Sequence, residues 1–157
     1  MVDISKPPVL KHFIRSQISL GEPMDVGLTS DGFRRVVPIL GGSFSGPELS
    51  GTILPFGGDS QLIKPGGQMD LDARYVLRTD EDELIYVSNI GNRFFAPEAF
   101  GALIARQPVD MSLARSTGAA KLESGAARLQ WVNRTRFFPR GQRGPDGLLL
   151  DFYYFAN

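Results

Sequence analysis

Glycine and proline interrupt this chain so often that no long regular element fits between them. Among 157 residues there are 18 Gly and 11 Pro, spread along the whole length. The short runs left between them suit strands and turns better than helices. Strand candidates follow from that punctuation. They are Leu10 to Leu20, Phe33 to Leu40, Phe44 to Leu54 (broken by Gly46-Pro47 and Gly51), Leu71 to Thr79, Leu84 to Ile90, Asn133 to Pro139 and Leu148 to Phe155. The acidic turn from Asp80 to Glu83 and the connection from Arg140 to Gly147 join successive candidates as antiparallel neighbours. The Ala/Gly/Ser stretch from Ser116 to Ala127 reads as a loop or a weak strand.

One helix is expected. Pro97 suits a first helical turn, and Ala99, Phe100, Leu103 and Ile104 recur at helical spacing before Pro108. A short helix among seven or more strands predicts an all-β, mainly antiparallel barrel, one domain over 1–157, with the helix as a lid or end plug. Large residues on both faces of Leu71 to Thr79 and Leu148 to Phe155 favour a barrel over a sandwich, one face filling the barrel and the other packing on more structure.

Composition narrows the chemistry. There is no cysteine and a single histidine, His12, which excludes thiol nucleophiles, thiolate metal sites and histidine clusters. No metal and no organic cofactor is expected. Seventeen basic residues balance seventeen acidic ones, so there is no overall field to gather nucleic acid or an anionic membrane. Arg134, Arg136, Arg140 and Arg143 interleave with Phe137 and Phe138, a pattern read as a charged strand edge and not as a stacking surface for single-stranded nucleic acid. The N-terminal residues lack the apolar run of a signal peptide, and no segment has the length of a membrane span. A cytoplasmic protein is the expectation.

What remains for chemistry is carboxylates, arginines and tyrosines. In Asp70 to Thr79, alternation puts Leu71, Ala73, Tyr75 and Leu77 on one face and Asp70, Asp72, Arg74, Val76 and Arg78 on the other. Asp72 and Arg74 are then paired neighbours. Facing solvent they are a surface ion pair; lining the barrel they would bind an oxyanion and take a proton. Asp59, after Pro55-Phe56-Gly57-Gly58, is either an ordinary turn residue or a carboxylate presented at the barrel mouth as a general base. Gly46 and Gly51 are read as barrel curvature. His12 lies in a strand run with no nucleophile near it.

The ordered set of motifs resembles a known family. It comprises Val26-Gly27, Gly32-x-Arg34-Arg35-Val36-Val37-Pro38-Ile39-x-Gly41-Gly42-x-Phe44-x-Gly46-Pro47-x-Leu49-x-Gly51, Leu54-Pro55, Asp59, Asp72-Ala73-Arg74-Tyr75, Thr79-Asp80 and Ile85-Tyr86-Val87. Gly91-x-Arg93, Trp131-Val132-Asn133-Arg134-Thr135 and the terminal Gly147 to Tyr154 strand complete it. Together these resemble the domain of unknown function 3237 family over nearly the whole chain. The resemblance implies a small antiparallel β-barrel, often a homo-oligomer, with relatives in natural-product biosynthesis for which isomerisation or cyclisation of an aromatic or polyketide-like substrate has been proposed. On that reading Asp59, Asp72 and Arg74 are the catalytic candidates. Arg35, Phe44, Tyr75, Arg93 and Trp131, which stand in matching motifs, would contact a small-molecule ligand. The alternative is a non-catalytic ligand-binding or scaffold barrel. Ser60, Phe94-Phe95 and Arg115-Ser116-Thr117 stand where relatives carry tryptophan, histidine and Tyr-Phe-Arg, implying a reshaped pocket.

Overall fold

The computed structural model describes residues 3–156. Ten strands follow in order: β1 (Val9–Leu20), β2 (Met24–Thr29), β3 (Gly32–Ser45), β4 (Ser50–Ile53), β5 (Gly57–Ile63), β6 (Gln68–Thr79), β7 (Leu84–Phe94), β8 (Arg115–Glu123), β9 (Arg136–Gly144) and β10 (Gly147–Ala156). All pairings are antiparallel, and the pairing of β1 with both β10 and β3 closes the sheet. The closed circuit is β1-β10-β9-β8-β7-β6-β5-β3. Beside β5, β4 continues the same lane between β3 and β6. Closure leaves only β2 as an edge, paired with β3 alone among the described residues.

Several expected boundaries move. The run Phe33 to Leu40 does not stop at Gly41-Gly42: β3 passes through both to Ser45. A Cβ on Gly42 would overlap the Gln17 carbonyl, and its φ of +142° suits only glycine, so this pair bends β3 where β1 closes onto it. The same close approach explains Gly46 and Gly51, where a Cβ would run into the Phe13 and Arg78 carbonyls. The Phe44 to Leu54 run is split between the end of β3 and β4. Unforeseen were β2 and β5, whose glycines and polar residues mask the alternation, and β8 is a full strand where a loop or weak strand was expected. Asn133 and Arg134 end a 3₁₀ segment (Ala127–Arg134) instead of starting a strand, while β9 runs on to Gly144 and shortens the last turn to Pro145-Asp146.

The helix is shorter than the spacing predicted. A 3₁₀ turn (Pro97–Ala99) leads into α1 (Phe100–Ile104), and Arg106 then adopts φ +56°. Neither cap has a side-chain bond, so the helix depends on packing through Leu103, Phe100 and Ile104 against Ile63, Met69 and Phe33.

Two different halves fill the barrel. Toward one end Ile14, Phe44, Leu77, Ile85, Leu122, Phe137 and Phe152 meet in a packed core, with Leu129 and Val132 of the 3₁₀ segment over them. Each such fully buried side chain contributes about 1.5–3 kcal/mol, so this end anchors the fold. Toward the other end small and polar residues stand among the aliphatic ones on the inner face, and the interior opens. The outer face of β6, expected to pack on further structure, carries exposed Arg74 and Arg78. Among the described residues no helix is long and apolar enough to cross a membrane.

Candidate functional site

All eight strands of the closed circuit contribute inner-face residues to the open half, and β5 to β8 carry most of its polar wall. Across the β5–β6–β7–β8 ladders, Asp59 opposes Ala73, Ala73 opposes Asn89, and Asn89 opposes Ala120. One step toward the open end, Gln61, Leu71, Gly91 and Gly118 form the next row, and beyond it Met69, Arg93 and Ser116 the last. Ala73, Gly91, Gly118 and Gly141 leave room where bulkier residues would fill the barrel. The result is a cavity of about 610 Å³ with Tyr75 in its wall beside Asp59 and Gln61, and with Arg93, Arg143 and Met111 among its lining residues. That volume lies within the range of small-molecule sites.

Asp59 is the cavity's carboxylate. One oxygen, Oδ2, accepts a 2.8 Å bond from Gln61 Nε2. The other, Oδ1, is shut away from water without a partner. Burial pushes its pKa up, and the Gln61 bond, the Asp72 backbone amide and the Arg93 charge offset this only in part. On the same strand Gly57 makes space for Tyr75, since a Cβ there would come 2.5 Å from Tyr75 Cβ. Tyr75 is 2% exposed and its hydroxyl also lacks a partner. Burial raises its pKa, so it keeps its proton and stays a donor. Buried polar atoms without partners are uncommon; of the three among the described residues, two belong to residues lining this cavity, and the third is Ser16 Oγ.

The other candidates are placed as follows. Asp72 and Arg74 form the expected pair, Nε to Oδ1 2.8 Å, on the outside of the barrel with side chains 41% and 51% exposed. They are not brought together with Asp59 in the cavity, because the face of β6 that points inward is the one carrying Ala73 and Tyr75. Arg35 is buried but bonds Asp25 (2.6 Å) and the Leu103 and Ile104 carbonyls (3.1 and 2.8 Å), tying β3 to β2 and to the end of α1. Phe44 belongs to the packed core. Trp131 stacks in an aromatic cluster with Phe13, Phe137 and Tyr154 at the filled end. Tyr75 and Arg93 do line the cavity. His12 Nε2 lies 2.9 Å from Asp151 Oδ1, whose carboxylate also takes two bonds from Arg15.

Sequence reasoning missed Gln61, Asn89 and Arg143 as cavity residues. Asn89 was within reach, two residues beyond Val87 on a recognised strand. Gln61 was hidden because β5 was not recognised, and Arg143 because the strand was ended at Pro139. Ser116 and Thr117, within the stretch expected to reshape the pocket, line the cavity. Among the described residues no group of three or more His, Asp or Glu is placed to hold a metal ion.

Comparison with known proteins agrees with this architecture. A protein of Rhodopseudomonas palustris (strain TIE-1) named UPF0311 protein is 34% identical over 143 residues, covering 91% of this chain and 94% of that one. The crystal structure of a protein with unknown function from Clostridium acetobutylicum superposes with a TM-score of 0.86 at 28% identity, over 96% of this chain and 100% of the other. An enzyme from Penicillium herquei has the same fold at 16% identity, TM-score 0.71, over 99% and 100% of the two chains. The family model described as "Protein of unknown function (DUF3237)" matches residues 8–155. The chain belongs to that family.

Proposed function

We propose that the cavity binds an oxygenated aromatic or polyketide-like molecule and that Asp59 moves a proton on it without a cofactor. The observation that carries this is that two residues lining one cavity, Asp59 and Tyr75, each hold a buried oxygen without a partner. Leaving such groups unpaired costs about 1–3 kcal/mol each, a cost that a bound ligand with complementary atoms relieves. A carboxylate whose pKa is raised is a stronger base than an ordinary one.

Asp59 takes a proton from carbon next to a carbonyl, and the Tyr75 hydroxyl donates to the enolate oxygen that forms. Return of the proton to a different carbon gives an isomer. Attack of the enolate carbon on a second carbonyl closes a ring, the proton then passing to the new alkoxide. Positioned acid–base catalysis supplies roughly 10²–10⁴-fold. The barrel from Penicillium herquei, described as an enzyme, makes catalysis compatible with the fold.

The test follows deuterium entering the carbon next to the carbonyl of a tetralone or a hydroxytetralone in deuterium oxide, by proton NMR. Wild type is expected to accelerate exchange and Asp59→Asn to return it to the solvent rate. Binding of these ketones with no acceleration by wild type would instead favour the non-catalytic ligand-binding reading.

A further inference from the structure

We propose that the ligand of this cavity is a monoanion, an aromatic carboxylate whose charged group is held between Arg93 and Arg143 while its ring system extends toward Asp59 and Tyr75. The inference deepens the ligand-site reading above and rests on it. Arg93 enters from the last inner row of β7, opposite Met69 and Ser116. Arg143 stands on β9 opposite Leu148, on the face shared with Gly141, and both line the same cavity. Among the described residues neither arginine has an ion pair, whereas Arg15, Arg35, Arg74, Arg78, Arg106 and Arg128 do. Arg93 is half-buried. Burial lowers its pKa first, the Asp59 charge opposes this, and repulsion from Arg143 adds to the lowering.

Two guanidiniums that repel each other at the rim of a partly dry cavity are stabilised by an anion between them, and their planar donor forks match a carboxylate. Asp59 does not fill that role, because it spends one oxygen on Gln61 and lies four residues deeper along the ladder. At a rise of about 3.3 Å per residue the two rows are roughly 13 Å apart at the backbone, so the ligand is elongated. Arg140 also borders the cavity but stands opposite Asp151 on the outward register of β9, so Arg93 and Arg143 against one ionised aspartate leave a single inward positive charge, which a carboxylate neutralises and a phosphate dianion exceeds. The cavity also lacks a lysine and an adjoining helix start of the kind that holds phosphate.

Calorimetric titration with naphthoate, its methyl ester, naphthyl phosphate and acetate tests this. Naphthoate is expected to bind at least tenfold tighter than the ester, the phosphate and acetate, and the advantage over the ester is expected to shrink in high salt. Arg143→Met, at an exposed position, and Arg93→Met are each expected to bring the naphthoate-to-ester ratio close to one. Arg136→Ala, on the outward-facing register of β9 and outside the cavity lining, should leave it unchanged. An ester that binds as tightly as the acid, a phosphate that binds tighter, or a preference that survives Arg143→Met would overturn the proposal. Because the ratio is also measured in Asp59→Asn, where it is expected to persist, loss of carboxylate preference and loss of proton transfer are separate outcomes.

Discussion

Asp59 and Tyr75 are diagonal neighbours on the inner face of the barrel: Asp59 opposes Ala73 across the β5–β6 ladder, and Tyr75 stands two residues farther along the same face of β6. Side chains at such diagonal positions are within reach of each other and of a common third group. Each ends in an oxygen without a partner. Neither oxygen satisfies the other, and neither has another partner among the described residues.

Replacing Tyr75 by Phe keeps the ring and removes the unpaired hydroxyl. Because no bond is lost, the variant is expected to be more stable than wild type by about 1 kcal/mol in urea unfolding. Its proton-exchange rate is expected to fall by roughly 10²–10³, the usual effect of deleting one donor to a developing oxyanion. A clear loss of stability would mean that the hydroxyl is bonded after all.

Asp59→Asn tests the burial of charge through its pH dependence. The folded pKa of Asp59 is raised above the ordinary 3.8, so the proton is held more tightly in the folded than in the unfolded chain. Its contribution to stability is therefore full below pH 3.8 and is lost as pH rises through the raised folded value. The variant should melt higher than wild type at neutral pH, and this difference should vanish in acid. Thermal melts of both proteins from pH 3 to pH 8 provide the check, and a constant offset would contradict it.

Asp72 and Arg74 supply a contrasting pair. Both are solvent-exposed and on the far side of the wall from the cavity. Asp72→Asn and Arg74→Met should leave exchange rates, ligand affinity and melting temperature unchanged within error. A large fall in activity in either variant would require the reaction to take place outside the barrel.

Arg35 acts on the fold. Its guanidinium reaches the Leu103 and Ile104 carbonyls at the end of α1, where a cation is favoured by the helix dipole. Arg35→Met should destabilise by roughly 1.5–3 kcal/mol, the value of hydrogen bonds to a charged donor. Amide exchange should rise first in α1, with the packed end of the barrel still protected.

The barrel was legible because its strongest signals are local. Alternation in Leu71 to Thr79 put Ala73 and Tyr75 on one face and Asp72 and Arg74 on the other, which is the observed division. Which of those faces points inward was not local information. It depends on how β5 and β7 flank β6, and β5 was hidden by Gly57-Gly58 and by polar residues that line a cavity instead of a core. The same cause concealed β8, whose Gly118 sits in the cavity wall and so lacks the apolar alternation of a packed strand. Arg35 and Trp131 were singled out from matching motifs, but a motif does not distinguish a residue that meets ligand from one that braces the wall. Asp59 stood out beside a glycine turn, and only the closed barrel gives its oxygen a buried, unpartnered place.

The central claim is that Asp59 is the group whose ionisation controls proton transfer in the cavity. The most direct measurement sets the pH dependence of ketone deuterium exchange beside the carbon-13 NMR titration of the Asp59 carboxyl. One shared midpoint is expected, above the ordinary aspartate range, with exchange rising as the carboxyl loses its proton and the step absent in Asp59→Asn. An exchange rate that does not follow the Asp59 titration, or an Asp59 that titrates at or below the ordinary 3.8, would contradict it.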